Sequence, residues 1–388
     1  MPPRPPRPVL EPTAAPAAFD AVLLAGPPAH QPLAGMRLLE RALLTMARAG
    51  AGRVLCVGTP PAGHLRTPDV PVTWIGRDGD PAAWANGCPR PIVAADAATV
   101  FDPATVAALA AAAPPGPLRA TGEARLWRCD PAALPALAAG GDVAGTALWT
   151  PPRAALLVRA DTPGGYARAE RALYANLGRA GDGWLTRVVD RRLSRLLTRA
   201  LLPTGVSPNQ ITAAAILLGL AAGALFATGS PALATVAACV FFASTIVDGC
   251  DGEIARLTFR ESRLGARFDL VGDNLVHLVL FGGIAWGLAR RAPEGSAALL
   301  GVPLMVGVLL AMAAVYACIV RRPPTTAQRT LYESFASREF AYLLLAMTLA
   351  GALEWFLWIA VTGTYAFAAS LCALGLGRRP VASRAAGR

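Results

Sequence analysis

The chain reads as two folds in series, an α/β domain followed by an all-α membrane domain of six helices. Three observations lead there. Residues 19–175 alternate short hydrophobic strands with Ala/Leu-rich helices. Apolar stretches long enough to cross a bilayer gather after residue 204. Arginines collect on alternate connections between those stretches, the pattern of a multi-pass protein with a defined orientation.

The 388 residues suffice for two domains, and composition sets their limits. The opening MPPRPPRPVLEPTAAPAA is Pro/Ala-rich, shows no signal-peptide pattern, and is expected to be disordered over 1–17. The α/β domain is expected over 18–175, a linker with an amphipathic helix over 176–203, the membrane domain over 204–377 and a basic cytoplasmic tail over 378–388. Seven cysteines without a CxxC pair or histidine clusters indicate neither a zinc site nor a disulfide framework. The net charge of +11 first suggests nucleic acid. Its arginines instead flank apolar segments and lack interleaved stacking aromatics, so anionic lipid headgroups are the expected partner and nucleic acid is not.

In the first domain, AVLLAG, LLERALLTMARAG, RVLCVG and PIVAAD set the strand and helix alternation. Asp96 and Asp161 end or follow such strands, either as metal ligands or, more simply, as ordinary strand-end residues. From Trp184 to Leu202, residues Leu185, Val188, Val189, Leu193, Leu196, Leu197 and Leu201 form one stripe with arginines opposite. That pattern predicts an interfacial helix lying on the membrane, the alternative being a soluble helix packed on the first domain.

The spans follow in order: Ile211–Thr228, Ala232–Val247, Phe268–Ala289, Ala297–Val320, and two more within Phe340–Leu376, turning near Glu354. Arg191, Arg192, Arg195 and Arg199 precede the first. Arg256, Arg260, Arg263 and Arg267 lie between the second and third, Arg321, Arg322, Arg329 and Arg338 between the fourth and fifth, and four more follow the last. Opposite connections hold only Arg290 and Arg291. Both termini are therefore expected in the cytoplasm, in an integral inner (cytoplasmic) membrane protein.

Residues 248–273, DGCDGEIARLTFRESRLGARFDLVGD, carry the chemistry. Asp248 and Asp251 stand three apart and Asp269 and Asp273 four apart, spacings that share a helix face. They fall where two apolar segments meet water. Uncompensated carboxylates there are costly, and hard divalent cations with oxygen ligands are the economical partner. Gly252 and Ala255 continue the face of Asp248 with little bulk, leaving room for a nucleotide, and Arg256 offers a positive fork to phosphate. His277 is one turn past Asp273, either a catalyst or, more simply, a helix contact.

Eight residues over these 26 positions, Asp248, Asp251, Gly252, Ala255, Arg256, Gly265, Asp269 and Asp273, resemble the signature of the CDP-alcohol phosphotransferase family at every defined position. Thr204-Gly-Val-Ser-Pro-Asn-Gln-Ile-Thr212 resembles that family's approach to its first membrane helix. The resemblance implies attack of an alcohol on the β-phosphorus of a CDP-alcohol with release of CMP, aided by two divalent cations, Mg2+ first and Mn2+ as the alternative. It further implies that Asp248, Asp251 and Asp269 bind metal, that Asp273 is the base and also touches metal, and that the enzyme is a homodimer. Gly252, Ala255, Arg256, Gly265 and Asn209 are the expected nucleotide contacts. For Asn209 the other reading is a plain helix start. Arg321, Arg322 and Arg338 either hold an acceptor phosphate or only set topology, the simpler reading.

The first domain resembles sugar-nucleotide and inositol-phosphate nucleotidyltransferases (a Rossmann-like fold) in the order of LLAG, Pro32-Leu33-Ala34-Gly35, LLERAL and Val54-Leu-Cys-Val57, with Asp161-Thr162-Pro163 and Ala169-Glu170 as a closing segment before Asp182-Gly183. The whole chain thus resembles fusions of inositol-1-phosphate cytidylyltransferase to CDP-inositol phosphotransferase, which implies inositol-phosphate or phospholipid substrates. One departure stands out. The expected phosphate loop is Gly26-Pro27-Pro28-Ala29-His30-Gln31, whose prolines lack N–H donors, and no basic residue follows until Arg37. A silent scaffold is expected; an active cytidylyltransferase is the alternative. Two other readings of the chain compete, a transporter with an acidic ion-coupling site and a plain membrane anchor. A transporter would carry its charges near mid-bilayer on broken helices, and an anchor has no use for four spaced aspartates.

Overall fold

The structure, a computed structural model, describes residues 19–87, 90–113, 115–143, 146–178, 185–335 and 339–376. The expectations for the 1–17 tail, Asp182-Gly183, Trp184, Arg338 and the 378–388 tail fall outside the described residues. Contacts divide the chain into two compact units, meeting in sequence at Leu177 and Gly178.

The first unit contains β1 (Phe19–Ala25), β2 (Pro32–Leu33), β3 (Met36–Arg37), α1 (Leu38–Arg48), β4 (Ala51–Gly58), β5 (Val72–Ile75), α2 (Pro81–Asn86) and β6 (Ile92–Asp96). It continues with β7 (Thr99–Phe101), α3 (Pro103–Ala110), β8 (Leu118–Ala120), β9 (Leu126–Cys129), α4 (Leu134–Ala138), β10 (Ala147–Trp149), β11 (Leu157–Arg159) and α5 (Pro163–Ala175). Seven strands form a mixed sheet in the order β10-β8-β9-β6-β1-β4-β5, with β9 antiparallel to both its neighbours. Apart from Asp20, which is buried and paired with Arg53 and Arg90, β1 is apolar and packed on both faces, as suits a central strand covered by two helix layers. Phe19, Ala21 and Leu23 pack toward Leu39, Leu43, Met46, Val106 and Leu109. Val22, of opposite parity, packs toward Ala85, Leu134 and Leu137. Asp80, Asp102 and Thr162 cap α2, α3 and α5, each with proline in the first turn.

Strand order reverses between β4 and β6 on either side of β1, the switch point where α/β sheets place their crevice. Gly26–Gln31 leaves β1 at that point and folds into a tight turn over Pro27–His30. Ala29 is fully buried in it, and the Tyr166 hydroxyl donates to the Pro28 carbonyl at 3.2 Å.

The second unit is helical: α6 (Arg191–Leu201), α7 (Pro208–Ala227), α8 (Pro231–Leu257), α9 (Arg263–Arg291), α10 (Ser296–Val315), α11 (Thr326–Phe335), α12 (Glu339–Leu349) and α13 (Leu353–Leu376). Among the described residues, five helices are long and apolar enough to cross a membrane: α7, α8, α9, α10 with its continuation to Val320, and α13. α12 is apolar but has eleven residues. At a rise of about 1.5 Å per residue that falls well short of a hydrocarbon core of about 30 Å. The chain turns at Gly351, whose φ of +68° suits glycine, three residues before Glu354 in the first turn of α13. α8 and α9 both run past the uncharged stretches, so all four motif aspartates are helical.

α7 and α9 pack closely because glycines remove bulk where the backbones meet. A methyl group on Gly283 would collide with the Gly223 carbonyl, and one on Gly287 with that of Phe226. One on Gly272 would collide with the Ile216 side chain.

The amphipathic helix departs from its expected register. Residues Thr186–Asp190 form a wide turn in which the Arg191 N–H reaches back five residues to the Thr186 carbonyl. That extra residue rotates what precedes it by about 100° relative to an even helix. Leu193 and Leu196 are exposed, while Leu197 and Leu201 pack against Ile211, Cys250 and Ile254. Arg191, Ser194 and Thr198 turn inward and are buried, while Arg192 and Arg199 of the same helix are exposed.

Candidate functional site

Three helix ends build the site. α7 begins with a capping box in which Ser207 and Gln210 satisfy each other's backbone N–H groups, with Pro208 in the first turn. α9 begins at Ser262, whose hydroxyl accepts the Gly265 N–H at 2.9 Å. Between them in sequence, the C-terminal half of α8 carries Asp248 and Asp251.

Asp248, Asp251 and Asp269 each bring a carboxylate oxygen within 4.8 Å of the other two. Asp251 is buried at 9% exposure, and the other two are half-buried. The Asp251 carboxylate accepts hydrogen bonds from the Thr212 hydroxyl and from the Gly252 N–H. Thr212, itself buried, thereby ties the second turn of α7 to the motif on α8.

Asp273 follows one turn after Asp269, exposed and outside this group of three, with its carbonyl contacted by His277 Nδ1 at 2.7 Å. The His277 ring lies among Phe281 and Phe340, a helix-packing position. Gly252, Ala255 and Arg256 are half-buried on the last turns of α8. The Asn209 side-chain oxygen sits 3.0 Å from where a Cβ on Gly265 would stand, so the structure brings these two expected nucleotide contacts together. Arg321 and Arg322 are exposed where the α10 continuation ends.

Residues 205–366 match the family model described as CDP-alcohol phosphatidyltransferase. Residues 205–366 thus carry a CDP-alcohol phosphatidyltransferase family-model domain.

Curated relatives named "Bifunctional IPC transferase and DIPP synthase" are similar to this chain. That of Archaeoglobus fulgidus is 33% identical over 36% of this chain and 28% of its own length. That of Thermococcus kodakarensis is 36% identical over 30% and 26%, and that of Rubrobacter xylanophilus 36% identical over 45% and 37%. The chain thus spans well under half the length of the curated relatives it matches. A solved structure, Mycobacterium tuberculosis phosphatidylinositol phosphate synthase with CDP-DAG bound, covers 50% of this chain and 100% of its own at 19% identity. Its TM-score of 0.34 is too low to bear weight.

Within the CDP-alcohol phosphatidyltransferase domain, one functional candidate escaped sequence reasoning. Glu253 sits inside the motif and is fully buried. Arg191 donates to its carboxylate at 3.0 Å, Ser194 at 2.8 Å and Thr198 at 2.9 Å. An ionisable residue on a membrane helix was the available signal. Its partners stand at i, i+3 and i+7 of α6, a polar stripe beside the leucines.

The first-unit candidates do not assemble. Asp96 ends β6 and accepts the Ala98 N–H at 2.9 Å, a local turn. Asp161 pairs with Arg159 at 2.6 Å. All 36 Lys and Arg residues of the chain are arginine.

Proposed function

We propose that this protein is an integral membrane enzyme that transfers a substituted phosphate group from a CDP-alcohol to an acceptor alcohol and releases CMP. The observation that supports it most is the convergence of Asp248 and Asp251 from α8 with Asp269 from α9. A donor set made wholly of carboxylate oxygens, without sulfur or nitrogen, fits hard divalent cations. Two such cations, Mg2+ foremost, would neutralise these carboxylates and draw charge from the departing CMP phosphate.

The chain's own groups do the rest. Thr212 and the Gly252 N–H hold Asp251 in one orientation. The N-termini of α7 and α9 flank the site with the positive ends of their helix dipoles, which favours an anionic nucleotide. Gly252, Ala255 and Gly265 admit the nucleotide near backbone, Asn209 borders it, and Arg256 offers its guanidinium to phosphate. Asp273, exposed and outside the metal cluster, accepts the proton of the acceptor hydroxyl as the new oxygen–phosphorus bond forms and the bond to CMP breaks. Arg321, Arg322 and Arg338 are the acceptor-phosphate candidates.

In this reading α12 completes a set of six spans, the site faces the cytoplasm with both termini, lipids cover the apolar faces, and the working form is a homodimer. The inositol-phosphate type of substrate follows from the names of the relatives: CDP-inositol as donor, or CDP-diacylglycerol with an inositol-phosphate acceptor. Glycerol phosphate is the phospholipid alternative. The first unit is a nucleotidyltransferase-like scaffold without turnover, because the loop leaving β1 carries two prolines without N–H donors, a buried alanine and a bond from Tyr166.

The test uses purified full-length protein, Mg2+, and a panel of CDP-alcohols and acceptors, following CMP release. Release with a matched pair supports the proposal, and none with any pair, while Mn2+ is still bound, sinks it. The same protein given CTP and inositol-1-phosphate should yield no pyrophosphate. Robust pyrophosphate release would favour the bifunctional reading.

A further inference from the structure

On α8 each residue advances about 100° around the axis, so Glu253 stands about 140° from Asp248 and 160° from Asp251. The helix therefore shows its metal-site aspartates on one side and Glu253 on nearly the opposite side. Cys250 lies on the Glu253 side, its thiol 3.4 Å from the Ser194 carbonyl. Both rear-face contacts reach α6, and Glu253 takes donors from three successive turns of it, at Arg191, Ser194 and Thr198. α6 is anchored a second time, through the Tyr342 hydroxyl of α12, which donates to the buried Asp190.

Apolar packing between two helices tolerates small rotations and slides. A buried carboxylate held by an arginine and two hydroxyls does not, because each donor fixes a direction as well as a distance. One residue's worth of rotation of α8 would carry Asp251 out of the cluster.

We propose that Glu253 is a positioning residue for the transfer reaction: gripped by Arg191, Ser194 and Thr198, it sets the rotation of α8 that aims Asp248 and Asp251 at the cations. This rests on the function proposed above. Glu253 touches neither substrate nor metal, so its effect should appear first in metal affinity.

The experiment measures Mn2+ binding to the purified full-length protein by the electron paramagnetic resonance signal of free Mn2+, without substrate. CMP release against Mg2+ concentration is measured in parallel. Glu253→Ala and the milder Ser194→Ala and Thr198→Ala, which keep the ion pair, are compared with the parent. The dissociation constant for Mn2+ should rise about tenfold in Glu253→Ala and by less in the hydroxyl variants, in line with losses on removing outer partners of metal ligands. Turnover at saturating Mg2+ should stay near the parent's. Glu253→Gln should recover part of the affinity, since its amide oxygen keeps an acceptor for one of the two hydroxyls, which donate to different oxygens of Glu253. Parent-like Mn2+ affinity in all the variants that bind would overturn the positioning role and leave the transferase reading intact. If Glu253→Ala does not fold, the hydroxyl variants decide. A parent that binds no Mn2+ overturns both.

Discussion

The Thr212 hydroxyl donates to the Asp251 carboxylate, joining α7 to α8 at the point where Asp248, Asp251 and Asp269 converge. α7 contributes no carboxylate to that cluster. It orients one instead. Thr212→Val keeps the shape and removes the donor, at a cost of about 1.5–3 kcal/mol for a hydrogen bond to a charged group. Half-saturating Mg2+ in the CMP-release assay should rise about tenfold, with the helical circular dichroism unchanged. An unchanged Mg2+ dependence would contradict the orienting role.

Asp269 and Asp273 lie one turn apart but in different surroundings, inside and outside the cluster. Asp269→Asn should lose both Mn2+ binding and CMP release. Asp273→Asn should keep Mn2+ binding and lower CMP release about a hundredfold or more, as expected when a positioned base is removed. Equal loss of Mn2+ binding in both variants would make Asp273 a metal ligand foremost.

Gly283 and Gly223 meet where α9 crosses α7. Gly283→Leu forces the two backbones apart, a form of overpacking that costs about 1–3 kcal/mol. In detergent the variant should melt several degrees lower, and its Mn2+ affinity should fall with it, because α9 carries Asp269. An unaltered melting temperature would show that the helices separate freely.

Cys56 and Cys129 lie in the core of the first unit, where burial pushes both thiols from 9.0 up to about 12. The unfolded chain can ionise them above its own lower value, while the folded unit keeps them neutral. Their contribution is therefore complete below about pH 9 and is lost as pH rises toward 12. Neither thiol should react with iodoacetamide at pH 8 until denaturant is added, as mass spectrometry of peptides would report. Prompt labelling of the native protein would contradict their burial.

Much of this architecture was legible in the residues alone. The strand and helix alternation of the first unit follows from short-range apolar periodicity. The long apolar helices follow from length and composition. The aspartate spacing places its side chains on shared helix faces wherever those helices sit. Ser207-Pro208 marks the start of α7 because capping is local chemistry. Gly26-Pro27-Pro28 likewise announced a loop unsuited to phosphate, since proline lacks a donor in any fold.

Whatever depended on a partner distant in sequence was decided only in three dimensions. Thr212 meets Asp251, Arg191 meets Glu253, and Asn209 meets Gly265 across separations that no periodicity encodes. The polar face of α6 at Arg191, Ser194 and Thr198 became the clasp of a buried carboxylate on α8. Asp273 stayed outside the cluster although its spacing matched, because helix rotation and crossing, not spacing, decide which oxygens meet. Local preferences are properties of a few neighbouring residues. Convergence belongs to the packed helices, and only their packing could choose it.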